Sequence, residues 1–322
     1  MFAVYATAPN PGDPLAALEV GERPEPEVAD GWTTVRVTAT SLNHHDLWTL
    51  RGVGIPADLF PMILGCDAVA VDQDGTEHVV YPVISEAGSV ADETLDTRRS
   101  LLSERYPGTF AERVAVPRRN LVPKPAELSA VEAACLPTAW LTAYRMLFVK
   151  SGLRPGQTVL VQGSTGGVAT ALISIGRAAG FRVWATGRTA AKRESAVALG
   201  AHAAFEPGAR LPERVDAVME TVGEATWSHS LKALRPGGTL VICGATTGAN
   251  PPADLRRIFF LQLSVVGATM GTRAELAALM SFLAATGLRP VVDSVLPLSR
   301  APEGFTKMAA GETAGKIVFT LD

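Results

Sequence analysis

Thr158-Val159-Leu160-Val161-Gln162-Gly163-Ser164-Thr165-Gly166-Gly167-Val168-Ala169 is the stretch on which the fold of this chain turns. An apolar run of strand length stops at a glycine-rich turn, and a helical pattern follows to Ala179 before Gly180. Glycines at such a turn let the backbone approach a pyrophosphate, while first-turn amides face its charge. In the GxGxxG register the positions are Ser164, Gly166 and Ala169, so the middle glycine alone is kept. The context supplies what the motif lacks: a buried strand before it, and a helix after it with small residues Ala169 and Ala171 toward the sheet.

Working outward, strands and helices alternate. Phe181–Thr186 reads as a strand, Ala190–Leu199 as a helix ending at Gly200, Val215–Glu220 as a strand and Gly223–Leu234 as a helix. Gly238–Cys243 and Ser264–Ala268 continue the strands, and Thr272–Thr286 is a last amphipathic helix. Ser129-Ala130-Val131-Glu132 has the form of a capping box opening an earlier helix. The alternation predicts a doubly wound parallel sheet of Rossmann type. The second strand bears on the choice of dinucleotide. A carboxylate there would hold a ribose 2′-hydroxyl, but the position is Gly187, followed by Arg188 and Lys192. Two cations at a helix start oppose its dipole and suit a 2′-phosphate between them. The expected cofactor is therefore NADPH rather than NADH.

The first 120 residues differ. Thr33-Thr34-Val35-Arg36-Val37-Thr38-Ala39 alternates as a half-buried strand does, and proline and glycine clusters interrupt the chain repeatedly. Residues 85–109 are polar and read as an exposed excursion with one helical turn. With 47% hydrophobic and 19% charged residues, composition is that of a globular chain with a sizeable core. A formal net charge of −3 gives no footprint for nucleic acid and no polybasic membrane patch. Met1-Phe2-Ala3-Val4-Tyr5 carries no signal-peptide pattern, and the apolar window around 130–149 is broken by Glu132, Pro137 and Arg145. Cys66, Cys135 and Cys243 are odd in number and form no CxxC, which points to a reducing, cytoplasmic setting.

The chain resembles the medium-chain dehydrogenase/reductase superfamily, nearest to its zinc-free quinone oxidoreductase-like branch. The resemblance is carried by Ser41-Leu42-Asn43-His44-His45-Asp46, Pro61–Asp67, Leu136–Tyr144, the glycine turn, Leu234-Arg235-Pro236-Gly237-Gly238 and Ala314-Gly315-Lys316-Ile317-Val318. It implies a β-rich GroES-like domain over 1–122 and 270–322, a Rossmann domain over 123–269 and an active-site cleft between them. It also implies a homodimer joined near residues 255–270. Expected cofactor contacts are Thr142, Ser164, Thr165, Gly166, Gly167, Val168, Gly187, Arg188, Lys192 and Gly244.

The zinc ligands of the metal-dependent members fall on Asn43, Cys66 and Thr138, and no four-cysteine lobe is present in 85–109. One thiol, an amide and a hydroxyl do not make a catalytic zinc site, so no metal is expected. His44 and His45, read as lying on an extended segment, would face opposite ways. The cleft candidates are Asn43, Asp46, Cys66 and Asp67, with Asn43 the expected hydrogen-bond donor to substrate and no general acid assigned. Trp48 stands where many relatives of the quinone branch have tyrosine, and it can donate a hydrogen bond but not act as an acid. Without zinc, hydride transfer to an α,β-unsaturated carbonyl or quinone is the expected reaction, because the resulting negative charge is delocalised. The alternatives are a zinc-independent carbonyl reductase or alcohol dehydrogenase, and a non-catalytic NADPH-binding sensor or structural protein.

Overall fold

The computed structural model describes residues 1–86 and 91–321. The chain forms two compact units, one of Met1–Thr138, Thr272–Ala285 and Arg289–Asp322, the other of Ala139–Gly271 and Thr286–Leu288. The first unit extends to Thr138, beyond the 122/123 boundary expected from sequence. The short helix Ala130–Ala133, opened by the Ser129/Glu132 capping box, packs on the strands Trp32–Ser41 and Asp67–Val71 of this unit.

The first unit is β-rich, as its broken alternating pattern predicts. Its main sheet runs in the order Leu121–Pro123, Glu77–Val80, Asp67–Val71, Trp32–Ser41, Lys316–Thr320, Val292–Pro297, with Arg113–Pro117 also paired to Trp32–Ser41. Along Thr33–Ala39 the odd-numbered residues are buried and the even-numbered ones at least partly exposed, the signature of a strand with one face on the core. Asp72 through Thr76 make the tight turn between two antiparallel strands. The C-terminal strand returns to the centre of the sheet, pairing Val318 with Ser41. Above it Phe110 meets Phe305 and Phe319 edge-on, at 6.2 and 5.3 Å, in a core that includes Val4, Leu42, Leu50 and Leu64.

The segment 85–109 departs from its reading as an exposed excursion. The helical turn is there, Glu93–Leu95 with Asp92 as its cap. Yet Asp96, Ser100, Leu102 and Ser103 are all buried. Leu102 packs with Val35, Val80 and Val114, and the Asp96 carboxylate accepts hydrogen bonds from the Glu86 and Arg98 amides. A polar run signals exposure only while its charges lack backbone donors. Residues 87–90 of this stretch lie outside the described residues.

The second unit is a six-stranded parallel sheet in the order Ala203–Phe205, Arg182–Thr186, Thr158–Val161, Val215–Glu220, Leu234–Ile242, Ser264–Gly267. Strand order reverses on either side of Thr158–Val161, the first strand in sequence. Such a switch point is where open α/β sheets receive ligands. The whole of Thr158–Val161 is buried, which explains why three of its four residues are apolar.

Candidate active site

The turn after Thr158–Val161 has the geometry its sequence predicts. Gly163 takes φ +88°, open to glycine at little cost, and the helix Gly167–Ala178 starts with Gly166 as its cap. Gly166 has no side chain to cap with, so the first-turn amides are left to an outside acceptor. A Cβ on Gly166 would meet nothing within 4 Å, which marks the space above it as open. Ser164 is buried, Thr165, Gly167 and Val168 are partly exposed, and Ala169 is buried toward the sheet. These features suit an approaching pyrophosphate.

Beneath the turn lies a polar network that the sequence did not announce. Gly163 N–H donates to Thr186 Oγ1 at 3.0 Å, Thr186 donates to Gln162 Oε1, and Gln162 Nε2 donates to His229 Nδ1 and Ser230 Oγ. Glu220, fully buried, accepts from the Val222 and Gly223 amides and from the Thr226 and Ser230 hydroxyls. Every oxygen of that carboxylate is used, which is what a buried charge requires. His229 donates Nε2–H to Ala209 O, leaving Nδ1 as acceptor, and burial lowers its pKa accordingly.

At the end of the second strand Gly187 is buried, and a Cβ there would press on Arg193 Cγ at 3.0 Å and Ser164 Oγ at 3.1 Å. Arg193, absent from the residues singled out by sequence, donates to Gly187 O at 3.0 Å and pairs with Glu206. Arg188 is exposed, and Lys192 is partly exposed on the first turn of Ala190–Leu199, whose cap is Thr189. Gly244 follows the fifth strand, where a Cβ would meet Thr221 O at 2.9 Å, and Thr142 is buried in Leu141–Arg145.

In the first unit, Asn43 caps a helix, His44–Leu50, and Asp46 in its first turn completes a capping box. His44 and His45 therefore lie on a helical turn, correcting their placement on an extended segment. The local cause is Asp46, three residues after the cap, whose Oδ2 accepts the Asn43 N–H at 2.8 Å. Its Oδ1 accepts the Gly65 N–H at 2.9 Å. Met62–Ile63 and the Gly65 loop are thus held to the helix start.

His45 turns inward. Its Nδ1 is 3.1 Å from Cys66 Sγ and its Nε2 3.2 Å from Glu104 Oε1. Burial opposes the His45 charge, but Glu104, Asp46 and Asp67 outweigh it and raise the pKa. Burial also opposes the charge of Glu104, where the bonds from His45 and the Leu101 amide prevail and lower the pKa. The Cys66 thiol, pushed well up by burial and then by Asp46, Asp67 and Glu104, donates to Leu102 O.

Asp67 is the second centre. Ser41 Oγ and Asn43 Nδ2 reach its Oδ2 at 2.7 and 2.8 Å, Thr138 Oγ1 reaches its Oδ1 at 2.5 Å, and Lys316 Nζ stands 3.3 Å from Oδ2. Asn43 also gives its other N–H to Ser41 O and accepts from Lys316 through Oδ1. The amide expected to donate outward thus spends both N–H groups inside the fold.

The zinc positions do not fit a zinc ion. The Asn43 oxygen and the Thr138 hydroxyl are committed to Lys316 and Asp67, and Cys66 is turned to His45. Among the described residues, His45, Asp46 and Cys66 offer ligand atoms within 4.8 Å of one another. Both Asp46 oxygens already hold backbone amides, and catalytic zinc needs three free ligands and an open position.

Asp46 carries a consequence for stability. Burial, the largest cause, raises its pKa from 3.8 to about 6 against the pull of His45 and two amides. The folded state then holds the proton more tightly than the unfolded state, so this contribution is present below pH about 4 and lost as pH rises through about 6. Two pK units correspond to about 3 kcal/mol. Urea unfolding of wild type and Asp46→Asn from pH 4 to 7 should show the stability of wild type relative to the variant falling by up to that amount. A gap constant over the range would contradict the raised pKa.

Residues 29–126 match the alcohol dehydrogenase GroES-like domain, and residues 167–285 match the zinc-binding dehydrogenase family. Crotonyl-CoA carboxylase/reductase of Cereibacter sphaeroides is 26% identical, over 96% of this chain and 84% of that protein. Acryloyl-coenzyme A reductase of Metallosphaera sedula is 27% identical, over 94% of this chain and 96% of its own length. The crystal structure of an NAD-dependent alcohol dehydrogenase superposes with a TM-score of 0.90 at 33% identity, covering all of both chains. Sheet order, glycine turn and full-length likeness agree, and the chain belongs to the medium-chain dehydrogenase/reductase superfamily.

Proposed function

We propose that this protein is an NADPH-dependent reductase that adds hydride to an α,β-unsaturated carbonyl compound, without zinc. The observation that carries this reading is the closed hydrogen bonding at Asp67, which takes the Thr138 hydroxyl, an Asn43 N–H and the Lys316 ammonium while Lys316 also takes the Asn43 oxygen, and which leaves the zinc positions no ligand set. A saturated ketone needs strong polarisation of its oxygen, whereas a conjugated acceptor spreads the incoming charge over its own π-system. Two of the relatives are named for crotonyl and acryloyl thioesters, which are acceptors of this kind. Quinones share the same electronic logic.

The residues that would hold the cofactor are the Ser164–Val168 turn for the pyrophosphate and Arg188 with Lys192 for a 2′-phosphate. Bound there, the nicotinamide supplies the hydride. Gly187 removes the carboxylate that would repel the phosphate, and Arg193 holds the carbonyl of that glycine in place. The exposed Leu255, Phe259 and Phe260, with the sheet-edge strand Ser264–Gly267, support association with a second copy. No helix among the described residues is long and apolar enough to cross a membrane.

The alcohol dehydrogenase at 33% identity favours a second reading, a zinc-independent carbonyl reductase or alcohol dehydrogenase. Paired enones and their saturated ketones, assayed at steady state with NADPH, separate the two. Enones should turn over faster; faster ketones would overturn the first reading.

Cofactor choice is tested by fluorescence titration. Arg188→Ala should weaken NADPH binding by about 1.5–3 kcal/mol, the range for hydrogen bonds to charged groups, and leave NADH nearly unchanged. Equal losses would remove the argument for NADPH.

Gly166→Val tests the turn itself. Gly166 has ordinary extended backbone angles and open space at its Cβ, so the variant should fold, its melting temperature lowered by no more than a few degrees through the poorer helix cap. Its binding of both dinucleotides should fall steeply, because the new side chain fills the approach to the first-turn amides. Unimpaired binding would place the pyrophosphate elsewhere.

A further inference from the structure

An organic cation holds Asn43, one of the three zinc positions, and Asp67, the carboxylate to which a second, Thr138, is bonded. Lys316 Nζ meets Leu42 O at 2.8 Å, Asn43 Oδ1 at 2.5 Å and Asp67 Oδ2 at 3.3 Å. A nitrogen with three N–H bonds facing three oxygen acceptors is an ammonium with its donors used. Lys316 is 2% exposed and Asp67 fully buried. Charges at such depth persist only when paired and hydrogen-bonded.

Strand register brings these groups together. Ser41 lies opposite Asp67 on one side and Val318 on the other, so Ser41, Asp67, Val318 and, two residues before it, Lys316 share one face of the sheet. Thr138 joins from the stretch Leu136–Trp140 and is the one part-exposed member of the set.

We propose that the Lys316 ammonium is the resident cation of this site, in place of a divalent ion. Lys316 is then a positioning residue. It neutralises Asp67, and through Asp67 and Asn43 it fixes the Thr138 hydroxyl and the start of the His44–Leu50 helix. A dication entering beside it would meet a like charge at close range, would have to take the Asn43 oxygen from the ammonium and would have to break the Thr138 bond to Asp67. Removing the lysine leaves a small cavity lined by three oxygens, a donor set that accepts a primary ammonium from solution.

The experiment is chemical rescue of Lys316→Ala with propylammonium, which restores the atoms beyond Cβ. Tetramethylammonium, with equal charge but no N–H, is the control. Propylammonium should raise the melting midpoint of the variant by about 3 °C or more at ten times its dissociation constant, with no effect from the control. Lys316→Met, which has the length but neither charge nor cavity, should not respond. Absence of a response, or equal responses to both cations, would overturn the proposal.

These melting readouts do not depend on the reaction catalysed. A second readout rests on the reductase reading. In Lys316→Met, kcat should fall about tenfold with KM for NADPH nearly unchanged, and Lys316→Arg should recover part of the loss. Wild-type kcat in the Met variant refutes the positioning role even if the Ala variant does not fold. Enone reduction missing in wild type itself would refute the reductase reading alone. Wild-type protein dialysed after exposure to cobalt should hold no stoichiometric metal; one retained equivalent sinks the idea of a resident ammonium.

Discussion

A carboxylate sealed from water has to find its hydrogen bonds and its counter-charge inside the protein, and Asp67 sets that requirement for the first unit. Four side chains answer it: Ser41, Asn43, Thr138 and Lys316. Lys316 is 249 residues away in sequence and Thr138 is 71. The C-terminal strand must therefore return to the sheet before the network closes. Removing one partner of such a buried pair costs about 3–5 kcal/mol, because the other charge is left alone. This explains why the last strand sits centrally in the sheet, between Trp32–Ser41 and Val292–Pro297, and not at an edge.

The two units use buried polar groups in opposite ways. In the second, Glu220, Gln162, Thr186 and Ser230 satisfy one another and brace Gly163 from below. The helix above is then left with first-turn amides and no side-chain cap, a donor set presented outward. In the first unit the network turns inward, and Asn43 keeps no N–H for an outside partner. One network frees donors for a ligand; the other consumes them. Rigid support below an unsatisfied helix start is the arrangement that favours anion binding without a conformational cost.

How much of this was legible in the sequence follows from distance along the chain. The glycine turn, its flanking strand and helix, and the Gly187-Arg188 pair are contiguous, so spacing and residue type suffice to read them. The parallel sheet followed from alternation alone. His44 and His45 were misread although the signal was local: Asn43 followed by Asp46 is a capping pattern that outweighs the extended reading. Glu104 and Lys316 could not be paired with their partners, because strand register and loop return are not encoded in any short window. Residues 85–109 read as exposed because composition counts charges without seeing the backbone amides that meet Asp96. The Asn43 amide was legible as a polar group at the site, but not as a group already engaged.

The same engagement constrains the chemistry. Hydride arriving at a carbon generates negative charge that something must stabilise. In this chain the cation nearest Asn43 and Asp67 is held by three oxygens, the thiol of Cys66 is kept protonated by burial, and Trp48 cannot act as an acid. On the proposed reading, a substrate whose reduced form localises charge on one oxygen would meet no free cation at Lys316, and the His45 charge is already paired with Glu104. A conjugated acceptor brings its own stabilisation and asks the protein mainly for position and for exclusion of water. On that reading, the electronic burden moves from the protein to the substrate, and the range of workable substrates narrows to those able to carry it.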